Sequence, residues 1–227
     1  MPTKARLYIY ANICLGTAVL AICLLHSWES TDPRRFLCYL ALTMVASTLK
    51  VRLPGMTGTI SLNFLFVLIA LADLSFSETV VVATCGALVQ SLWKRKTPPK
   101  VVQVAFNTAV LAGSAAFAYR AGRYLLSGLA ASYLPVLICL SATLYFFSNT
   151  FLVSGVISLI ENERLSDVWH RCHLWTFPYY LAGAGVAGVM SVCNRTAGWQ
   201  AALLILPAVY LVYVFYRQCV LRLAPPT

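Results

Sequence analysis

The chain has 227 residues, 60% of them hydrophobic and 11% charged, with 17 Lys plus Arg against 7 Asp plus Glu and a formal net charge of +10. A soluble domain carries about 25% charged residues, so a mean hydropathy of +0.77 excludes both an ordinary soluble enzyme and a disordered protein. The expected class is all-α: a polytopic transmembrane helical bundle forming one domain over 1–227, with no polar stretch long enough to fold separately.

Taken in chain order, Lys4 and Arg6 precede an apolar run from Leu7 to Leu25. That run exceeds a secretory h-region, and His26-Ser27-Trp28-Glu29 offers no small-x-small cleavage site, so an uncleaved first span over Leu7–Trp28 is expected. Further apolar segments follow at Phe36–Leu49, Ile60–Leu74, Thr79–Trp93, Val101–Tyr119, Tyr133–Ile160, Trp175–Cys193 and Trp199–Tyr216, which predicts eight spans. Asp32-Pro33 reads as an N-cap with a first-turn proline, and Ser75 with Glu78 as a capping box. Thr97-Pro98-Pro99 is expected to open the fifth helix as Asp32-Pro33 opens the second, and Pro207 could kink the eighth. The second and fourth segments are short, about 21–23 Å at 1.5 Å per residue; if one is re-entrant, seven spans remain.

Basic residues give the expected orientation. With the N-terminus inside, the cytoplasmic side holds Lys4, Arg6, Lys50, Arg52, Lys94, Arg95, Lys96, Lys100, Arg164, Arg171, Arg217 and Arg222, and the other side Arg34, Arg35, Arg120, Arg123 and Arg195. This excess predicts both termini in the cytoplasm of a bacterial inner membrane. Because the basic residues are divided among loops and form no single patch, membrane lipid is the expected surrounding, and nucleic acid is not an expected partner. The eight cysteines contain no C-x-x-C pair and lie mostly in apolar runs, so they indicate neither a disulfide framework nor zinc.

Small residues at Ala182–Gly188 and Ala112–Ala116 predict close helix packing. Polar side chains at membrane depth are the next signal, because they are costly in hydrocarbon and face the bundle interior. They are Asn63, Gln90, Gln103 and Asn107, with Ser148 and Asn149 interrupting the sixth segment. Gln103 and Asn107 share a helix face as i and i+4. Neutral amides can hydrogen-bond a ligand or join helices, but do not readily relay protons. Glu161, Glu163, Asp167, His170 and His173 cluster once, and on a continuous helix Glu163, Asp167 and His170 would share a face. The expected reading is a solvated interfacial segment rather than a metal site. No H-E-x-x-H, G-x-S-x-G or P-loop pattern is present, so no catalytic residue, metal or cofactor is expected.

The stretch Leu49-Lys50-Val51-Arg52-Leu53-Pro54-Gly55, followed by Thr57-Gly58-Thr59-Ile60-Ser61-Leu62-Asn63-Phe64, resembles the membrane module at the N-terminus of bacterial signalling proteins. There the module precedes a GGDEF diguanylate cyclase or an HD-GYP phosphodiesterase. Gln90–Trp93, Gln103-Val104 with Phe106-Asn107, and Trp175–Tyr180 resemble the same module, over roughly Pro33 to Tyr216. The resemblance brings no established ligand. It implies a stand-alone sensing or binding module acting through a signalling output protein, since no output domain is expected after Arg222. A more distant likeness, to the substrate-binding subunits of energy-coupling-factor transporters, implies the alternative of a small-solute transporter or transporter subunit. Any ligand site is expected among Asn63, Gln90, Gln103 and Asn107, on three consecutive helices at similar depth.

Overall fold

The computed structural model describes residues 1–26, 28, 30, 32–51, 60–93, 99–127, 134–172 and 176–205, with single positions at 207, 210, 211 and 214. Among them the chain is helical apart from one two-residue antiparallel ladder. The elements are α1 (Thr3–His26), α2 (Pro33–Thr48), β1 (Lys50–Val51), β2 (Ile60–Ser61), α3 (Asn63–Asp73), α4 (Phe76–Leu92), α5 (Val101–Leu125), α6 (Leu134–Glu161), α7 (Leu165–Cys172), α8 (Phe177–Ala197) and α9 (Trp199–Ala202). A 3-10 turn at Leu203–Ile205 follows α9.

The helix starts follow from local chemistry. The Asp32 side chain accepts the Arg35 backbone N–H at 3.1 Å with Pro33 in the first turn. At α4 the box closes in both directions: Ser75 Oγ takes the Glu78 N–H at 3.3 Å, and Glu78 Oε2 takes the Ser75 N–H at 2.9 Å. The expected proline opening of α5 is not formed. Its N-cap is Lys100, without a side-chain cap bond, so Pro99 precedes the helix. At its far end α5 continues past the expected Tyr119 to Leu125. Arg120 lies over the Phe76 ring at 4.3 Å and Arg123 over the Tyr119 ring at 4.1 Å, so these cations stay on the helix rather than entering a loop.

Among the described residues a membrane helical bundle is supported, and the expected eight spans are supported only in part. Three helices, α1, α5 and α6, are long and apolar enough to cross a membrane, and α7 with α8 meets the same test only as a pair bent by 59°. The third segment divides, because Lys50 pairs with Ser61 and Val51 with Ile60 before the helix begins at Asn63. What remains, α3, has 11 residues, about 16 Å of rise against about 30 Å of hydrocarbon. The eighth segment begins as α9 and the 3-10 turn, and most of 206–216 lies outside the described residues.

Helices α1 to α6 alternate in direction. At one end the Lys50 ammonium donates to the Trp93 carbonyl at 2.9 Å and the Tyr8 hydroxyl to the Leu152 carbonyl at 3.1 Å. At the other, Ser77 Oγ donates to the Cys23 carbonyl at 3.2 Å. Helix α3 is the hub: α2, α4, α5, α6 and α8 all pack on it, and Leu65 to Ala72 are buried without interruption. Helix α1 is the opposite case, with Leu7, Leu15, Ile22 and Leu25 exposed along its length.

Small residues set the closest approaches. The Ala182–Gly188 stripe is used in part: Gly183 takes the Phe64 ring, Ala184 and Ala187 are buried, and Gly185 faces open space. A Cβ on Gly16 would lie 2.5 Å from the Ala109 Cα, whereas one on Gly113 would meet nothing within 4 Å. Gly16→Ala is therefore expected to push α1 off α5 and lower the melting temperature in detergent, by an overpacking cost of about 1–3 kcal/mol. Gly113→Ala is expected to hold or raise it, since alanine is about 0.8–1 kcal/mol better than glycine inside a helix.

Candidate functional site

The chain reaches α3 through a constraint at its start. The Leu62 N–H bonds the Leu49 carbonyl at 3.2 Å, so the segment after α2 folds back and delivers Asn63 into the bundle. No side chain caps α3, and the Asn63 N–H turns to Ser61 Oγ at 3.3 Å. Asn63 is 1% exposed, and its carboxamide oxygen has no hydrogen-bond partner. The amide fills the space a side chain on Gly86 would take, so Gly86 is what allows α3 to begin at this depth.

The four expected amides are brought together unequally. Gln90 is half-buried one turn beyond Gly86 on α4, and Asn107 is half-buried on α5, which packs along α4. Gln103, one turn earlier on α5, is exposed. No hydrogen bond joins Asn63, Gln90 and Asn107 to one another, so these three amides do not act as a bonded clamp between helices. Thr108 Oγ1, beside Asn107, is also buried and unpartnered. Further along the interior Ser148 bonds Ser114 at 3.2 Å, and the carboxamide oxygen of the adjacent Asn149 is buried without a partner. The ring of Tyr180 lies 4.8 Å from that of Phe64, next to Asn63.

The acid and imidazole cluster is arranged differently from a continuous helix. Helix α6 ends at Glu161, Asn162 adopts φ 56°, and α7 starts at Leu165, so Glu163, Asp167 and His170 do not share one helical face. Instead Arg171 reaches back to Glu161 at 2.8 Å and Glu163 at 3.1 Å, all exposed. His173 lies outside the described residues. Helix α7 is anchored by Trp169, which stacks on Phe151 at 5.3 Å and donates to Thr150 Oγ1 at 3.0 Å.

A second polar cluster, at the Ser75 end, was not among the expected site residues. Asn194 of α8 donates to Asp73 at 3.1 Å, and Arg123 of α5 donates to the Leu71 carbonyl at 3.3 Å. Glu78 is 1% exposed and accepts from Ser30 Oγ at 2.6 Å. The available signal was Asp73, an acidic residue inside the apolar segment Ile60–Leu74, where ionisable groups are costly and mark function.

No family model, curated protein or solved structure matches the chain.

Glu78 serves two partners from a buried position, so Glu78→Ala is expected to lower stability by about 1–3 kcal/mol, read as a melting shift in detergent. Glu78→Gln retains one acceptor oxygen and should lose less.

Proposed function

We propose that the protein is an integral-membrane binding and sensing module of bacterial signalling type. In this reading it takes a small polar ligand at the Asn63 end and passes the bound state to a separate signalling output protein. The single observation that supports it is the buried, unpartnered carboxamide oxygen of Asn63 at the start of a helix enclosed by five others. A buried polar atom left unpaired costs about 1–3 kcal/mol, so an occupant that donates a hydrogen bond would recover that energy. A ligand presenting an N–H or O–H, such as an amide, alcohol or ammonium, has the matching chemistry. The resemblance of 49–64 to the membrane module of cyclase and phosphodiesterase proteins supports the signalling part, because its described residues 49–51 and 60–62 form the ladder and the bond that lead into α3. The placement in an inner membrane with cytoplasmic termini rests on the twelve basic residues assigned to one side against five on the other. The ladder, the Lys50–Trp93 contact and the exposed α7 then face the cytoplasm, where an output protein could read them.

A second reading has its own observation. A half-length helix starting inside a bundle is how several transporters build a substrate site, and α3 has that form. Uptake into liposomes, or co-purification with ATPase subunits, would favour the transporter class. Co-purification of a cyclase or phosphodiesterase would favour the sensor.

The site is tested with Asn63→Leu, which keeps the approximate volume and removes the unpaired amide. The expected result is an apo melting temperature unchanged or raised, with loss of small molecules that native mass spectrometry finds on the wild-type protein from its native source. A lowered apo melting temperature would make the amide structural, and retained small molecules would remove it from the site.

A further inference from the structure

At the opposite end of α3 lies a second set of unpartnered polar atoms. Tyr39 of α2 is 0% exposed, yet its hydroxyl has no hydrogen-bond partner. Arg35, one turn earlier, shares its face of α2, and α2 packs along α3, which ends at Asp73. The Arg35 Nε is buried and unpartnered, and so is the Arg123 Nε, although the Arg123 guanidinium already rests on Tyr119 and holds the Leu71 carbonyl. Neither arginine forms an ion pair among the described residues. Glu78 is taken by Ser30 and Ser75, and Asp73 accepts from Asn194. Three unpartnered atoms from α2 and α5 are therefore left at the end of the bundle where α3 finishes, and all three carry a hydrogen to donate. At the Asn63 end the unpartnered atoms are the Asn63 carboxamide oxygen, which only accepts, and the Thr108 hydroxyl.

We propose that Arg35, Arg123 and Tyr39 form a second binding site, for a phosphodiester group, independent of the amide site. Guanidinium N–H groups match phosphate oxygens in geometry and charge, and a phosphate offers enough acceptor oxygens to engage all three donors. The charge balance selects the ligand further. Two arginines and the Asp73 carboxylate leave one net positive charge, which suits a phosphodiester monoanion better than a phosphate dianion. Trp28 and Tyr124, 46% and 79% exposed, lie at this same end of the bundle, as aromatic residues do at the level of lipid headgroups. A phospholipid headgroup is thus the favoured source, with free inorganic phosphate as the other.

The test uses the full chain in detergent and reads thermal stabilisation on titration with two probes, soluble dihexanoyl-phosphatidylglycerol and inorganic phosphate. The wild-type protein is expected to be stabilised by the lipid at concentrations at least ten-fold below those needed for phosphate. Arg123→Gln and Arg35→Gln should each weaken the lipid response by ten-fold or more. Tyr39→Phe is the decisive variant. It removes only a hydroxyl with no partner, so the apo protein should melt at or above the wild-type temperature while its lipid response weakens. Equal or stronger stabilisation by phosphate would retain the site and reassign its source to the free anion. No stabilisation by either probe, or a full lipid response in Tyr39→Phe and both arginine variants, would overturn the proposal.

Discussion

A helix enclosed on every side cannot be placed by its affinity for lipid, and α3 is such a helix. Leu65 to Ala72 are buried without a break, although the same apolar residues would suit hydrocarbon equally well. Its position is set instead by what happens to its backbone ends, which lie inside protein and must find partners there. At the start, the ladder and the Leu62–Leu49 bond deliver it beside Gly86. At the finish, the Leu74 N–H closes on the Ala70 carbonyl at 3.0 Å, and Thr79 Oγ1 reaches that same carbonyl at 2.9 Å. Arg123 occupies the Leu71 carbonyl, where a cation also complements the negative end of the helix dipole.

The rest of the bundle follows from wrapping that helix. Gly183 lets α8 close on Phe64, and Gly16 lets α1 close on α5, which in turn packs on α4 and α6. In lipid such close approaches carry the association that water would otherwise drive. The outward faces of α1, α5 and α6 are free to be apolar, with Leu15, Phe117 and Phe151 exposed. The two ends of α3 then differ in chemistry. The unpartnered Asn63 carboxamide oxygen lies at its first residue and the unpartnered Arg35, Tyr39 and Arg123 atoms toward its last, so one short helix separates two polar environments.

Much of this was legible in the sequence, for identifiable reasons. The caps at Asp32 and Ser75 and most helix limits follow from local signals. Local signals do not report where an apolar residue finds its neighbours. Ile60–Leu74 reads as a span because burial in protein and burial in lipid select the same side chains, and the pairing of Lys50 with Ser61 leaves no trace in hydropathy. Arg120 and Arg123 read as loop charges because stacking on Phe76 and Tyr119 depends on rings contributed by packing and by the helix itself. Asn63 was visible as a polar residue at depth, and its relation to Gly86 was not. The group formed by Arg35, Tyr39, Asp73, Arg123 and Asn194 is assembled from four helices and has no spacing that could announce it.

The central claim, that α3 is sheathed by protein while α1, α5 and α6 face lipid, can be read directly by footprinting with a carbene photolabel confined to the hydrocarbon of a reconstituted bilayer. Mass spectrometry of the labelled protein should find adducts at outward positions such as Leu15, Phe117 and Phe151 and none between Leu65 and Ala72. Labelling of Leu65–Ala72 as heavy as that of α1 would contradict the account.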